Sequence, residues 1–250
     1  MSGHSKWATI KRKKGALDAK RGKLFTKLIR EIVTAARIAG GDVDGNPRLR
    51  KAVNEAKGQQ MPADTIKRAI QRGTGEIDGA NYDEVLYEGT GPSGTLFLVE
   101  GMTDNRNRTV AELRKIFEKH NGTLGTSGTA GWAFDHLGTI TLEKTVSEEK
   151  LMEAALEAGA EDYRDEEDVW VVYTPMEQLY EVTSGLEKAG IPITESKVAY
   201  VPKNKKQVEG RDAEVCMNMV EALDDHDDVQ GVYADFELSD EELARISGDE

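Results

Sequence analysis

The chain has 250 residues, with 33 Lys and Arg against 46 Asp and Glu, so that its formal net charge is -13. This length suits two or three domains, and a hydrophobic share of 38% is enough for their cores. A single cysteine, Cys216, excludes an intramolecular disulfide and indicates a reducing compartment. Since no apolar run approaches the roughly 18 residues of a membrane span and the N-terminus lacks a signal h-region, we expect a cytoplasmic protein without a membrane partner.

The charge is divided unevenly along the chain. Residues 1–75 hold 18 Lys and Arg against 6 Asp and Glu, a net of +12, whereas residues 76–250 hold 15 against 40, a net of -25. Such asymmetry is typical of a basic module for a polyanion carried on an acidic body. The alternative is a basic face that is merely well solvated.

A basic arm is predicted over residues 1–15, where the stretch SGHSKWATIKRKKG contains no acidic residue. Trp7 could stack on an unpaired base, as aromatic side chains do in single-strand binding. A terminus without any partner is the alternative. The phosphate partners predicted in the arm are Lys6, Lys11, Arg12, Lys13 and Lys14.

Three helices are predicted in residues 16–75, which form a helical basic domain. The first covers 16–37, the second begins after Asn46 and stops at Gly58, and the third covers 62–72. The residues expected inward on the first helix are Phe25, Leu28, Ile29, Ile32 and Ala36. The basic residues expected to contact phosphates on this helix are Lys20, Arg21, Lys23, Lys27 and Arg30. Together they predict a three-helix bundle with a positive outer surface. The segment GQQMP at 58–62 gives no clear helix-turn-helix signature.

Beyond Gly79 the hydrophobic period changes to that of strands. We predict strands at 82–88 and 95–101 joined by the turn GTGPSG, which is not a dinucleotide loop because a strand follows it. A helix at 109–120 and a short strand at 131–135 come next. Residues 138–200 read as βαββαβ, the ferredoxin-like order, and a last helix (211–224) and strand (229–236) remain.

The predicted fold class is therefore a multidomain α+β protein, with the three-helix bundle followed by two α/β domains. The ferredoxin-like acidic domain (137–205) is predicted as an insertion in a discontinuous middle domain made of residues 80–136 and 206–240. The last helix and strand would complete that middle domain.

The segment DNRNRT at 104–109 carries a possible phosphate grip. Thr109 with Glu112 resembles a capping box, which would begin a helix and leave Arg106 and Arg108 beside its anion-attracting N-terminus. Alternatively the arginines pair with Asp104 or Glu112. The acidic stretch 224–228 is read as a solvated loop without the spacing of a calcium site. We find no catalytic motif, and we expect no enzyme activity, cofactor, metal or small-molecule substrate.

Three stretches of the sequence resemble a known family. MSGHSKWATIKRKKGALDAKRGKLFTKLIREI, NPRLRKAVNEAKGQQMPADTIKRAIQRGTG and TDNRNRTVAELR strongly resemble the YebC/PmpR family over essentially the full chain. The resemblance implies three domains in the cytoplasm and a non-enzymatic role in transcription regulation through DNA binding. Members have also been linked to ribosomes, and a mitochondrial relative is regarded as a translational activator of cytochrome oxidase.

Three functions stay open at this point. The first is a DNA-binding transcriptional regulator, which the resemblance favours. The second is a ribosome- or RNA-bound translational activator, because a flexible basic arm with Trp7 suits irregular RNA. The third is a protein-interaction adaptor whose acidic domain binds a basic partner. The expected partner is therefore nucleic acid, either DNA or ribosomal RNA.

Overall fold

The computed structural model describes residues 17–166 and 169–247, with the side chains of residues 22–166 and 169–246. Within these ranges the chain forms eight α-helices and ten β-strands, so the predicted mixed α+β class is confirmed. The helices are α1 (Leu17–Ala39), α2 (Pro47–Gly58), α3 (Ala63–Gly73), α4 (Arg106–Lys119), α5 (Glu148–Ala158), α6 (Leu179–Lys188), α7 (Gly210–Asp224) and α8 (Asp240–Ser247). The strands are β1 (Asp83–Thr90), β2 (Leu96–Thr103), β3 (Thr123–Leu124), β4 (Phe134–Glu143), β5 (Asp162–Glu166), β6 (Val169–Thr174), β7 (Ile193–Pro202), β8 (Lys206–Gln207), β9 (Val229–Ala234) and β10 (Phe236–Glu237).

Helices α1, α2 and α3 pack around one apolar cluster that contains Ile32, Leu49 and Ile66. Asn46 caps α2 as predicted, since its side chain accepts a hydrogen bond from the Leu49 N–H at 3.1 Å. The amide of the same side chain donates to the main-chain oxygens of residues 35 and 40, each at 2.9 Å. One buried asparagine therefore joins the end of α1 to the start of α2.

The first sheet has the strand order β3-β1-β2-β9, with every pair antiparallel. Its core, formed with α4 and α7, includes Phe97, Phe117 and Phe236. Strand β9 pairs with β2, and α7 contributes to the same core.

The strand predicted at 131–135 is wrong. Residues Gly131–Ala133 form a 3-10 turn instead. Strand β4 begins at Phe134, runs without a break through Gly138 and belongs to the second four-stranded sheet. In the first sheet, the edge position beside β1 is occupied by β3. Gly138 lies inside β4, where a Cβ would be 2.8 Å from the Thr174 side chain and 3.0 Å from that of Leu179, so close packing explains the glycine.

The second sheet has the order β5-β6-β4-β7, also antiparallel, and its apolar face packs against α5 and α6. The predicted βαββαβ order of elements is the observed one. A separate buried cluster around Leu98 and Phe134, with Tyr200 and Tyr233 packed on it, joins the first sheet to the β4–β7 ladder. The two sheets thus share an apolar seam. No helix in the described ranges is long and apolar enough to cross a bilayer.

Candidate nucleic-acid interface

The predicted contacts of the arm lie outside the described residues. These are Lys6, Trp7, Lys11, Arg12, Lys13 and Lys14. Lys20 and Arg21 belong to α1, but their side chains are not among those described. The remaining predicted contacts, on α1 and α4, have defined surroundings.

The basic face of α1 contacts the chain's own acidic loop, residues Asp224–Asp228. The Lys23 ammonium lies 3.2 Å from the Asp225 carboxylate. Lys27 donates to the main-chain oxygen of Asp224 at 2.7 Å and to its carboxylate at 3.0 Å. The loop that the sequence suggested was only solvated therefore neutralises part of the predicted phosphate-binding stripe.

Asp228 is the buried centre of this junction, with only 2% of its side chain exposed. Its carboxylate pairs with Arg30 and accepts from Arg108 at 2.8 Å, Thr109 at 2.5 Å and Thr103 at 3.2 Å. Burial alone would raise the pKa of this carboxyl, but the bonds from Thr109 and the two arginines hold it well below its usual range. Asp228 is therefore ionised in the folded protein at neutral pH.

Helix α4 begins four residues earlier than the predicted capping box required, since its N-cap is residue 105 rather than 109. Asn105 is the N-cap, because its side chain accepts from the Arg108 N–H at 3.1 Å. Thr109 lies inside the first turn, where its hydroxyl donates to Asp228. The carboxylate that holds Thr109 is 119 residues away in the chain, so local spacing could not reveal it.

Both arginines at this helix start have acidic partners in their own chain. Arg106 donates to Asp83 at 2.9 Å, and Arg108 donates to Asp104 at 2.9 Å as well as to Asp228. The hydrogen bond to Asp228 is the main reason that the pKa of Arg108 is raised. The contacts seen are those of the alternative in which the arginines pair with acids, although Arg106 uses Asp83 rather than Asp104.

Glu112, His226 and Asp228 form a group whose possible metal-ligand atoms lie within 4.8 Å of one another. The Asp228 N–H donates to His226 Nδ1 at 3.1 Å, which leaves His226 Nε2 to donate to Glu112 at 2.9 Å. The Asp228 oxygens are already taken by arginines and hydroxyls. A cation would have to displace those donors, so the donor set does not suit a metal.

Sequence reasoning missed the outer face of α3. Lys67, Arg68 and Arg72 are exposed there, while Ile66 and Ala69 are buried on the opposite side. The signal was present in the sequence, because Arg68 and Arg72 are four residues apart and Lys67 is adjacent to Arg68, which places all three opposite Ile66 and Ala69.

These features define a multidomain α+β protein with a basic helical unit at its N-terminus and acidic units after it. The chain belongs to the TACO1/YebC family, since residues 5–76 match the family described as "TACO1/YebC protein N-terminal domain" and residues 82–236 match "TACO1/YebC second and third domain".

Similar proteins cover the full length. One from Geobacter sulfurreducens, named "probable transcriptional regulatory protein", is 52% identical over 246 residues, which are 98% of this chain and all of that protein. One of the same description from Chloroherpeton thalassium is 53% identical over 249 residues. The crystal structure of a conserved hypothetical protein from Aquifex aeolicus matches with a TM-score of 0.81 and 45% identity, over 90% of this chain and 93% of that one.

Proposed function

We propose that this protein is a non-enzymatic regulator of gene expression that binds DNA and acts on transcription. The observation that carries the proposal is the net charge of +12 in residues 1–75 against -25 in the rest, because a duplex recruits clustered cations and repels the acidic body. The names of the full-length relatives support it. The proposed contacts include the lysines and arginines of the arm together with Lys20 and Arg21.

The cations on α1 and α4 enter this proposal under a condition. Lys23, Lys27, Arg30 and Arg108 already face acidic groups, so a phosphate would have to replace a carboxylate at each of them. Arg106, paired with Asp83 on the surface, would exchange its partner more easily because exposed ion pairs contribute little.

A second candidate is an RNA-associated translational activator. The residue that favours it is Trp7, which stands among lysines in the arm and would stack on unpaired bases. An RNA partner would be bound mainly through the arm, whereas a duplex would also use the helical unit. This difference allows the two candidates to be separated by binding.

We also propose the domain limits predicted above, with a helical domain, a discontinuous middle domain and an inserted ferredoxin-like domain. The separate apolar clusters around Ile32, Phe97 and Ile140 support this division. A cytoplasmic location agrees with a single buried thiol, Cys216.

Equilibrium binding to duplex DNA at several salt concentrations tests the function. Engagement of about six phosphates predicts a slope near -5 for log K against log salt. A preferred duplex should compete about 10³-fold better than random sequence. A flat salt response would contradict any polyanion partner, and stronger binding to looped RNA than to every duplex would favour the second candidate.

A further inference from the structure

The cations of the helical unit fall into two groups with different surroundings. On α1, Lys23 and Lys27 are directed at the acidic loop. On α3, Lys67 and Arg72 make no ion pair within the part of the chain that the structure describes, and Arg68 has a single exposed partner, Asp64, at 3.5 Å. The positive charge of α3 is therefore available to an outside anion in a way that the charge of α1 is not.

These α3 side chains share one face of the helix. At 100° per residue, Asp64, Lys67, Arg68, Gln71 and Arg72 fall within about 140° of one another. The buried residues of α3 lie on the opposite side. Among the five, Asp64 is the acidic member, and Gln71 lies near the middle of the face with an amide that donates to Glu76 at 3.3 Å.

The backbone of α3 is held rigidly in this orientation. A Cβ on Gly73 would lie 2.5 Å from the main-chain oxygen of Val33 and 2.6 Å from the Ala36 Cβ, so the end of α3 presses directly on α1. At its start, Met61 is buried and its N–H donates to the main-chain oxygen of Ala56 at 2.9 Å. The outer face of α3 is thus presented to solvent by fixed contacts at both ends.

The connection between α2 and α3 is four residues long, from Gln59 to Pro62. Gln60 has a φ of 61°, and the bond from the Met61 N–H to Ala56 completes a Schellman end to α2. The left-handed residue is thus Gln60 rather than Gly58. Helix-turn-helix proteins also join two helices by three or four residues and place the second helix in the DNA major groove.

We propose that the outer face of α3 is the surface that contacts duplex DNA. This inference rests on the proposed function and gives it a location. Lys67, Arg68 and Arg72 would pair with phosphates flanking the groove, and the Gln71 amide would reach base edges, where Gln suits adenine. The B-form major groove, about 12 Å wide, admits a helix, whereas the deep and narrow major groove of A-form RNA does not. The occupant we propose for this face is therefore duplex DNA rather than duplex RNA.

The test compares two double variants of the full-length protein that lose the same charge. Lys67→Ala with Arg72→Ala should weaken duplex binding at least about 10-fold and reduce the salt slope by about 2, since each phosphate contact contributes about 1. The control, Lys150→Ala with Lys188→Ala on the exposed surfaces of α5 and α6, removes the same charge outside the helical unit and should leave the affinity within about 2-fold. Melting of the α3 variant should match that of the wild type, because both side chains are exposed.

Gln71→Ala tests sequence preference, which the loss of a positive charge does not change by itself. It should reduce the preference for a selected duplex over random duplex while the salt slope stays the same. Equal losses in the two double variants, or a loss in the control alone, would overturn the location on α3.

Competition with an RNA hairpin separates failure of the location from failure of the function. If the wild type prefers the hairpin or binds no duplex, then the proposed DNA function fails together with this inference. If the wild type binds duplex and the α3 variants bind equally well, then only the inference fails.

Discussion

Asp228 brings together side chains from three parts of the chain. It contacts Arg30 of α1, Thr103 of β2, and Arg108 and Thr109 of α4. Because the carboxylate is almost fully buried, its removal would leave two guanidiniums without their shared anion. We therefore expect a substitution of Asp228 to destabilise the fold mainly through the loss of its negative charge and less through a change in side-chain volume.

Asp228→Asn should lower the free energy of unfolding at neutral pH by about 3 kcal/mol, near the lower end for breaking a buried ion pair, since Arg108 is still reached by solvent. Urea unfolding measures this. Asp104→Asn, which removes a half-exposed carboxylate from the same arginine, is the matched control and should change the free energy by less than about 1 kcal/mol. Equal effects would show that burial of Asp228 does not matter.

The same pair of proteins has a pH signature. The pKa of Asp228 is lower in the folded protein than the roughly 3.9 of an unfolded aspartate, so the unfolded state binds more protons in acid. The stabilisation is complete above about pH 5 and is lost as the pH falls toward the folded pKa. Wild type should lose stability more steeply in acid than Asp228→Asn, and parallel curves would contradict this assignment.

Glu88 organises the end of the glycine-rich stretch 122–131. Its carboxylate accepts from the N–H groups of Gly128 at 3.0 Å, Ala130 at 2.6 Å and Gly131 at 2.8 Å. Burial alone would raise the pKa of Glu88, but these three donors outweigh burial and lower it. The backbone N–H groups of residues 128–131 therefore converge on the buried Glu88 carboxylate.

Glu88→Gln should reduce the free energy of unfolding by about 1–3 kcal/mol, because the amide NH₂ cannot accept from the N–H groups that the second carboxylate oxygen now binds. Chemical unfolding measures this, and emission from the neighbouring Trp132, which is 67% exposed, should change as the loop loosens. Glu118→Gln on the exposed side of α4 is the control. An unchanged midpoint for Glu88→Gln would contradict the role.

At the scale of secondary structure, two asparagines near the start of α4 can be compared as N-cap residues. Asn105 makes the cap bond, and Asn107 lies exposed in the first turn without it. Asn105→Ala should cost about 1 kcal/mol of unfolding free energy. Asn107→Ala should be neutral or slightly stabilising, because alanine has the higher helix propensity. Thermal melting compares the two variants. A larger loss of stability for Asn107→Ala than for Asn105→Ala would indicate that α4 begins later than Arg106.

At the scale of the whole molecule, the three-helix unit and the two sheets are joined differently. The sheets share the apolar seam around Leu98 and Phe134. Helix α1 contacts the first sheet through ion pairs, and α2 adds the Arg48–Glu84 pair and a bond from Lys51 to the main-chain oxygen of Ser196. Salt screens the exposed pairs, whereas it does not weaken the seam.

We therefore expect salt near 1 M, where the Debye length is about 3 Å, to move the calorimetric transition of the helical unit away from that of the two sheets, but only in part, because the buried Arg30–Asp228 pair is screened much less than the exposed pairs. At low salt the transitions should lie closer together. Arg30→Ala should separate them already at low salt, while the exposed Lys57→Ala control should not. A single transition under all conditions would mean that the helical unit is coupled to the sheets by more than its ion pairs.

Much of the fold followed from local pattern. The period of apolar residues and the cap and stop residues located α1, α2 and α3, and alternation located the strands on both sides of α5 and α6. These signals are local because the hydrogen bonds of a helix, and the two faces of a strand, depend on neighbouring residues. Family membership likewise followed from the N-terminal motifs and was confirmed.

The sequence by itself also determined the charge of each part of the chain, but the tertiary structure decided which charges face each other. The sequence predicted phosphate contacts for the basic residues of α1 and for the arginines at the start of α4. In the structure the acidic loop, about 200 residues from α1 in the chain, lies against them. The start of α4 and the course of β4 were decided in the same way, by Asp228 at Thr109 and by close packing at Gly138. Ion pairing and packing depend on distance in space, which the order of residues along the chain does not specify.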